Sequence, residues 1–247
     1  MVRTIATLAL ALGLLATSAS AQTASLTTPP PLAKGMAGLP RIAAPITPAT
    51  TRINAALAKV DANWTAMIKD CRQQAGKDFD MERTVDVAMR GPGYVSVAIT
   101  YEYDCGGAHP DSGVIALTYS LETGAPANWA RLLPKSLVDS ASTDTAGDGT
   151  TVGLIASKAL QKIYAREALA GRKGEDRKDC ADVFSQDGLT FQVWPDAKAS
   201  ALMLAPNLPH VVAACGDPQP ISARTLQSLG VAAPLLSAIA AAHAETH

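Results

Sequence analysis

His109 is the residue of this chain whose setting most invites chemistry. It stands behind Cys105-Gly106-Gly107-Ala108 and ahead of Pro110, at the end of the run Tyr101-Glu102-Tyr103-Asp104. An imidazole titrates near neutral pH and can serve as a general base or a ligand. Asp104 and Asp111 lie close enough in sequence to orient it as carboxylate partners. That set of residues would suit a small hydrolase. The same residues also have a structural use: Gly106 and Gly107 supply backbone freedom, Pro110 restricts His109 to extended conformations, and the ring can bond its own loop. No second histidine or nucleophile is paired with His109 by sequence, so the loop-organising role is preferred. His210, between Pro209 and Val211, is open to both readings, and His243 and His247 near the tail are read as solvated.

Other candidate constellations are weaker. Asp144, Asp148 and Gly149 fall at positions 1, 5 and 6 of a calcium loop, but position 3 is Ala146 and position 12 is Ile155, so the acidic cage is missing. Gly147, Gly149 and Gly153 open a predicted helix without a strand before them, which argues against a dinucleotide site. There is no HExxH, GxSxG or phosphate-binding loop. The sequence therefore implies neither a metal nor a cofactor. Trp64 sits on a predicted buried helix stripe. Trp129 and Trp194 lie beside loops and, with Gly106, Gly107 and His109, are the candidate binding residues, as a carbohydrate platform or a protein-binding patch.

These residues need a scaffold, and the periodicity supplies one. Ile53, Leu57, Val60, Trp64, Ile68 and Cys71 recur at steps of three and four, predicting an amphipathic helix that ends before Gly76. Three segments of period two follow. The first holds Val85, Val87 and Met89. The second runs from Val95 through Val97, Ile99, Tyr101 and Tyr103 to Cys105, and the third from Ile115 to Leu121. Short connections make them an antiparallel meander with one face covered by the helix. Residues 128–137 read as a short helical turn, 140–149 as a polar turn-rich stretch, and Val152 to Tyr164 as a second helix. Residues 172–179 read as a charged exposed loop. Val183-Phe184 and Leu189 to Trp194 flank Asp187-Gly188 as a hairpin. Further strands are expected at 202–204 and 211–215, a short capped helix at 222–229 and an Ala-rich helix at 234–243. The fold class is α+β, a helix-covered antiparallel sheet.

Residues 1–21 read as a secretory signal, with Arg3 at the start, a short apolar core and Ala19-Ser20-Ala21 before the cut. The apolar run is too short to span a bilayer. Residues 22–50, rich in Pro, Ala and Thr, are expected to be an extended or disordered leader, and 51–247 a single domain. The signal holds one of the chain's 21 basic residues and none of its 22 acidic ones, so the mature chain is close to neutral. That charge leaves no footprint for nucleic acid or an anionic membrane. Cys71, Cys105, Cys180 and Cys215 form an even set without C-x-x-C spacing, which in an oxidising compartment means two disulfides. Cys71 and Cys105 share the buried faces of the helix and the sheet it covers, so they pair first, leaving Cys180 with Cys215.

The run Tyr101 to Pro110 with its Gly-Gly-Ala-His-Pro core, the segment Tyr119-Ser120-Leu121-Glu122-Thr123-Gly124, the helix of Leu154 to Tyr164 and the turn at Asp187-Gly188 occur in this order. Across residues 83–229 the chain resembles the exported domain family, long without an assigned function, typified by the lysozyme-sensing region of the RsiV anti-sigma factor. A related module precedes the catalytic domain of the PdaC peptidoglycan deacetylase. The resemblance implies an α+β binding module facing the cell envelope, with no catalysis of its own and a lysozyme-like hydrolase or cell-wall ligand among possible partners. The membrane span and sigma-binding segment of the signalling members are absent, and the four cysteines suggest a separate branch. The preferred reading is a periplasmic, non-catalytic binding module for an envelope protein or peptidoglycan-associated ligand. The alternative is a small hydrolase using His109 with Asp104 or Asp111.

Overall fold

A computed structural model of the chain describes residues 23–76, 79–107 and 109–246; residues 1–22 with the expected signal segment, 77–78, 108 and 247 lie outside the described residues. Helix α1, Pro48–Ala75, starts where Thr47 accepts a bond from the Thr50 N–H while the Thr50 hydroxyl accepts from the Thr47 N–H. Its buried stripe holds Ile53, Leu57, Val60, Trp64, Ile68 and Cys71. The stripe covers a three-stranded antiparallel sheet of β3 (Asp80–Arg90), β4 (Tyr94–Asp104) and β5 (Asp111–Ser120), in that order. Val95 faces Tyr119 and Ile99 faces Ile115 across the β4–β5 ladder, and Val97 and Ile99 are fully buried. This is the α+β arrangement and facing that the alternation implies.

The second face of that sheet is not left to water. Ala98, Val114 and Ala116 pack there against Trp194, Met203 and Ala205 of a five-stranded antiparallel sheet, which is ordered β10-β9-β8-β7-β6. Its strands are β6 (Ser140–Thr145), β7 (Thr151–Ala156), β8 (Thr190–Asp196), β9 (Ala201–Pro206) and β10 (Gln219–Ser222). A side chain joins the two sheets: the Gln192 carboxamide accepts from the Ala116 N–H at 2.8 Å and donates to the Val114 C=O at 2.7 Å. A second core lies under helices α2 (Trp129–Leu132), α3 (Lys158–Ala170), α4 (Gly174–Phe184), α5 (Ala223–Ser228) and α6 (Ala233–Ala244).

Several expectations are corrected. The proline-rich stretch is no loose leader from residue 23 on. Strands β1 (Ser25–Thr27) and β2 (Arg41–Ala44) pair, and Met36, Leu39 and Ile42 enter the α1 core. Asp61 holds this stretch in place. It accepts from the Leu39 N–H, from Arg41 at 2.7 Å and from the fully buried Arg83 of β3 at 2.9 Å. The predicted second helix splits at Ser157, whose hydroxyl accepts from the Leu160 N–H and starts α3, so Val152 and Leu154 belong to β7. Its partner β6 is exposed at all six positions and carries no apolar alternation to announce it. Residues 172–179 belong mostly to α4, because Cys180, Val183 and Phe184 recur at helical spacing and are buried. Asp187-Gly188 therefore turns a helix into β8 and makes no hairpin, with Gly188 at φ 84°. Residues 210–215 are a 3-10 turn and not a strand. His243 is bonded, its Nδ1 lying 2.7 Å from the Ala197 C=O.

Candidate functional site

The β4–β5 hairpin end carrying His109 is built by three local devices. The Asp104 carboxylate accepts from the Gly106 N–H at 2.8 Å, closing an Asx turn. Gly106 adopts φ 77°, and a Cβ there would come within 3.1 Å of the Ala75 Cα, so glycine is required by conformation and by space. Cys105 is bonded to Cys71 of α1, with Cα atoms 4.7 Å apart. Asp111 is occupied elsewhere: it accepts from the Tyr103 hydroxyl at 2.8 Å and from its neighbour's N–H. Neither carboxylate therefore orients His109, which corrects the expected carboxylate–histidine pairing. The ring is exposed, and no hydrogen bond to it is formed among the described residues.

His109 faces another histidine. His210 opens the 3-10 turn His210–Cys215, and the two ring centroids lie 6.1 Å apart at 31°. That turn is fixed in the same manner as the hairpin, by Cys215 bonded to Cys180 of α4 across a Cα separation of 5.4 Å. Both disulfides thus sit just beside the two segments that meet at the histidine pair. Val211, next to His210, is 73% exposed, the most exposed large apolar residue of the described chain.

A cleft of ≈ 440 Å³ lies between the face of the β3–β5 sheet that meets the second sheet and the segment around the 3-10 turn. Glu82 and Glu102, direct partners across the β3–β4 ladder, line it with Ser112, and Asp217 lies opposite. Like charges directly opposite on a ladder cost stability, and neither glutamate has an ion-pair partner among the described residues. Asp217 pairs with Arg172 at 3.1 Å. His109 does not line the cleft. Sequence reasoning missed the glutamate pair. A bulge between Asp86 and Met89 shifts the register, so counting back from the Gly91–Gly93 turn sets Glu82 opposite Tyr103.

Other sequence candidates are placed elsewhere. Trp129 is 7% and Trp194 3% exposed, in different clusters, so they offer no joint platform. Gly107 precedes His109 by two residues, and a Cβ there would meet the His109 carbonyl oxygen at 4.0 Å, an ordinary contact. Asp148 is buried and accepts from the Thr150 N–H, and Asp144 accepts from Asn207, so the calcium-like loop is the bonded β6–β7 turn. No group of three or more His, Cys, Asp or Glu that could hold a metal occurs among the described residues. Burial raises the pKa of all five tyrosines. Tyr101 is pushed up to about 12, with Asp111 and Asp148 adding to the effect, and Tyr103 is pushed higher still by burial and its bond to Asp111.

Among known proteins, no family model and no curated protein matches this chain. Among solved structures it is similar to the crystal structure of a DUF3298 family member from Bacteroides fragilis, at 12% identity and a TM-score of 0.42, covering 79% of this chain and 74% of that one. A likeness this loose speaks to neither ligand nor activity. No helix among the described residues is long and apolar enough to cross a membrane.

Proposed function

We propose that the protein is an exported, non-catalytic binding module of the cell envelope, and that the surface around His109, His210 and Val211 is where its partner docks. The observation that carries this reading is the placement of the two disulfides. Each braces one of the two segments that converge there, through Cys105 on one side and Cys215 on the other. A surface held in its bound shape before the partner arrives loses less conformational freedom on binding. The exposed Val211 and paired imidazoles give that surface an apolar centre with a polar rim. The engagement of Asp104 and Asp111 with Gly106 and Tyr103 leaves His109 without an orienting carboxylate, which supports binding over hydrolysis. Two disulfides suit the oxidising periplasm to which the expected signal would deliver the chain.

The test is capture from an envelope extract by the mature protein and by a His109→Ala/Val211→Asp variant, with sedimentation on purified peptidoglycan as a second arm and a lysozyme titration as a third. Retention of a specific partner or of peptidoglycan by the wild type, lost in the variant at unchanged melting temperature, is the expected result. A hydrolytic activity of the wild type that disappears with His109→Ala would instead establish the enzyme reading.

A further inference from the structure

The outer edge of β5 is closed in two places and open between them. In the β4–β5 ladder the even-numbered residues of β5 aim their backbone groups away from β4. Gln192 takes the Val114 C=O and the Ala116 N–H, while the Ala127 N–H reaches the Thr118 C=O and the Ser120 N–H reaches the Ala125 C=O. The Ser112 C=O and the Val114 N–H stay open beyond the first closure; between the two closures lie the Ala116 C=O and the Thr118 N–H, which bracket Leu117. No strand other than β4 pairs with β5 among the described residues, and no loop or side chain among them bonds either group. Thr118 is itself 7% exposed. A C=O and an N–H left open on a strand edge are a template for pairing with another chain.

This open pair faces a hollow of ≈ 580 Å³, walled by Ala116 to Thr118 on one side, Trp129 on another, and Thr143 and Gly153 of the β6–β7 hairpin on the third. The volume is that of a small-ligand site. The hollow exists because β7 pairs with β8 only at Ile155 and Ala156, so the rest of the hairpin diverges from the sheet. A Cβ built on Gly153 would meet nothing within 4 Å.

We infer that this hollow is a binding site for a short extended peptide, one residue of which completes the β5 edge opposite Leu117. The chemistry follows from stereochemistry. A C=O and an N–H two residues apart on one strand edge are matched by the N–H and C=O of one extended residue, as in strand addition. A lone trans secondary amide, such as a sugar's N-acetyl group, points its N–H and C=O in opposite directions and cannot satisfy both. The Gln192 carboxamide, whose N–H and C=O lie on one side, already fills the equivalent position one step along the same edge. Closure of the edge by Gln192 and Ala127 at either end confines the ligand to a few residues. This site is separate from the histidine surface and does not depend on the reading proposed for it.

The experiment is a titration of isotope-labelled mature protein with tri-alanine blocked at both ends, followed by the backbone amide resonances, with N-acetylglucosamine as the control ligand. The Thr118 amide is expected to shift to lower field with peptide at millimolar concentrations and to stay in place with the sugar. Gly153→Val fills the hollow from a strand position that tolerates a side chain. It should leave the melting temperature unchanged and weaken the peptide by about tenfold or more. A peptide in which an ester oxygen replaces the central N–H should bind more weakly than the parent. A Thr118 resonance that no peptide moves, or an equal shift in Gly153→Val, overturns the proposal. A response to the sugar equal to that of the peptide overturns the stereochemical argument and with it the ligand class.

Discussion

Replacing Asp61 by alanine should destabilise this protein more than any comparable surface change, and the magnitude can be worked from the structure. The Arg83 side chain is fully buried between α1 and β3, and of its guanidinium nitrogens only Nη1 has a hydrogen-bond partner, the Asp61 carboxylate at 2.9 Å. The guanidinium also lies over the Trp64 ring, whose centroid is 5.1 Å away, and the charge of Asp148 favours it as well. Burial lowers the Arg83 pKa, and the bond to Asp61 and the charge of Asp61 oppose that shift. Removing the carboxylate therefore leaves a buried cation with no hydrogen-bonding acceptor, for which losses of about 3–5 kcal/mol are typical. Two further bonds go with it, those to the Leu39 N–H and to Arg41. For a chain of this size the loss corresponds to a fall in melting temperature on the order of 10 °C. Thermal and urea denaturation of wild type and Asp61→Ala would measure it. Asp61→Leu combined with Arg83→Met removes both charges and should recover most of the loss, because exchange of a buried ion pair for apolar groups is often neutral. A loss below about 1 kcal/mol for Asp61→Ala would refute the reasoning. So would a double variant less stable than the single one.

Gln192→Leu strips the β5 edge of its side-chain bonds to β8 and should cost about 1–3 kcal/mol in denaturant titrations, since two backbone groups lose their partners. His109→Ala should change stability by no more than about 0.5 kcal/mol, as expected for an exposed ring without bonds. Asp104→Ala, which opens the Asx turn, should cost about 1 kcal/mol, and the two variants measured side by side check which residue organises the loop. On alkaline titration the raised tyrosine pKa values stabilise the fold fully below the unfolded value of 10. The unfolded chain ionises first, so stability should fall as pH rises from 10 through about 12, where Tyr101 titrates in the folded state. Tyrosinate absorbance should rise together with the loss of structure and not before it.

The sequence by itself determined the elements whose side chains repeat with a single period. Helix α1 and strands β4 and β5 are legible because one face of each is buried along its whole length, so apolar residues recur at the spacing of the backbone. The disulfide pairing was legible for the same reason: Cys71 and Cys105 lie on the two faces that pack together. Tertiary structure decided what has no local signature. Strand β6 is exposed throughout and exists by pairing with β7 alone, and α4 is so charged outside its last turn that its sequence reads as a loop. The proline-rich stretch from residue 23 is ordered because Asp61 of α1 holds Leu39 and Arg41, and the Arg83 backbone of β3 bonds Gly35 and Ala37, all distant in sequence. Site residues divide in the same manner. His109 stood out because its glycines and proline constrain the chain around it. Its neighbour His210, a hundred residues away, is brought there only by the packing of a 3-10 turn against β5. Contacts between residues far apart in sequence depend on how sheets stack and where a ladder bulges, and a one-residue shift at Asp86–Met89 is enough to hide the Glu82–Glu102 pair from any reading of the chain alone.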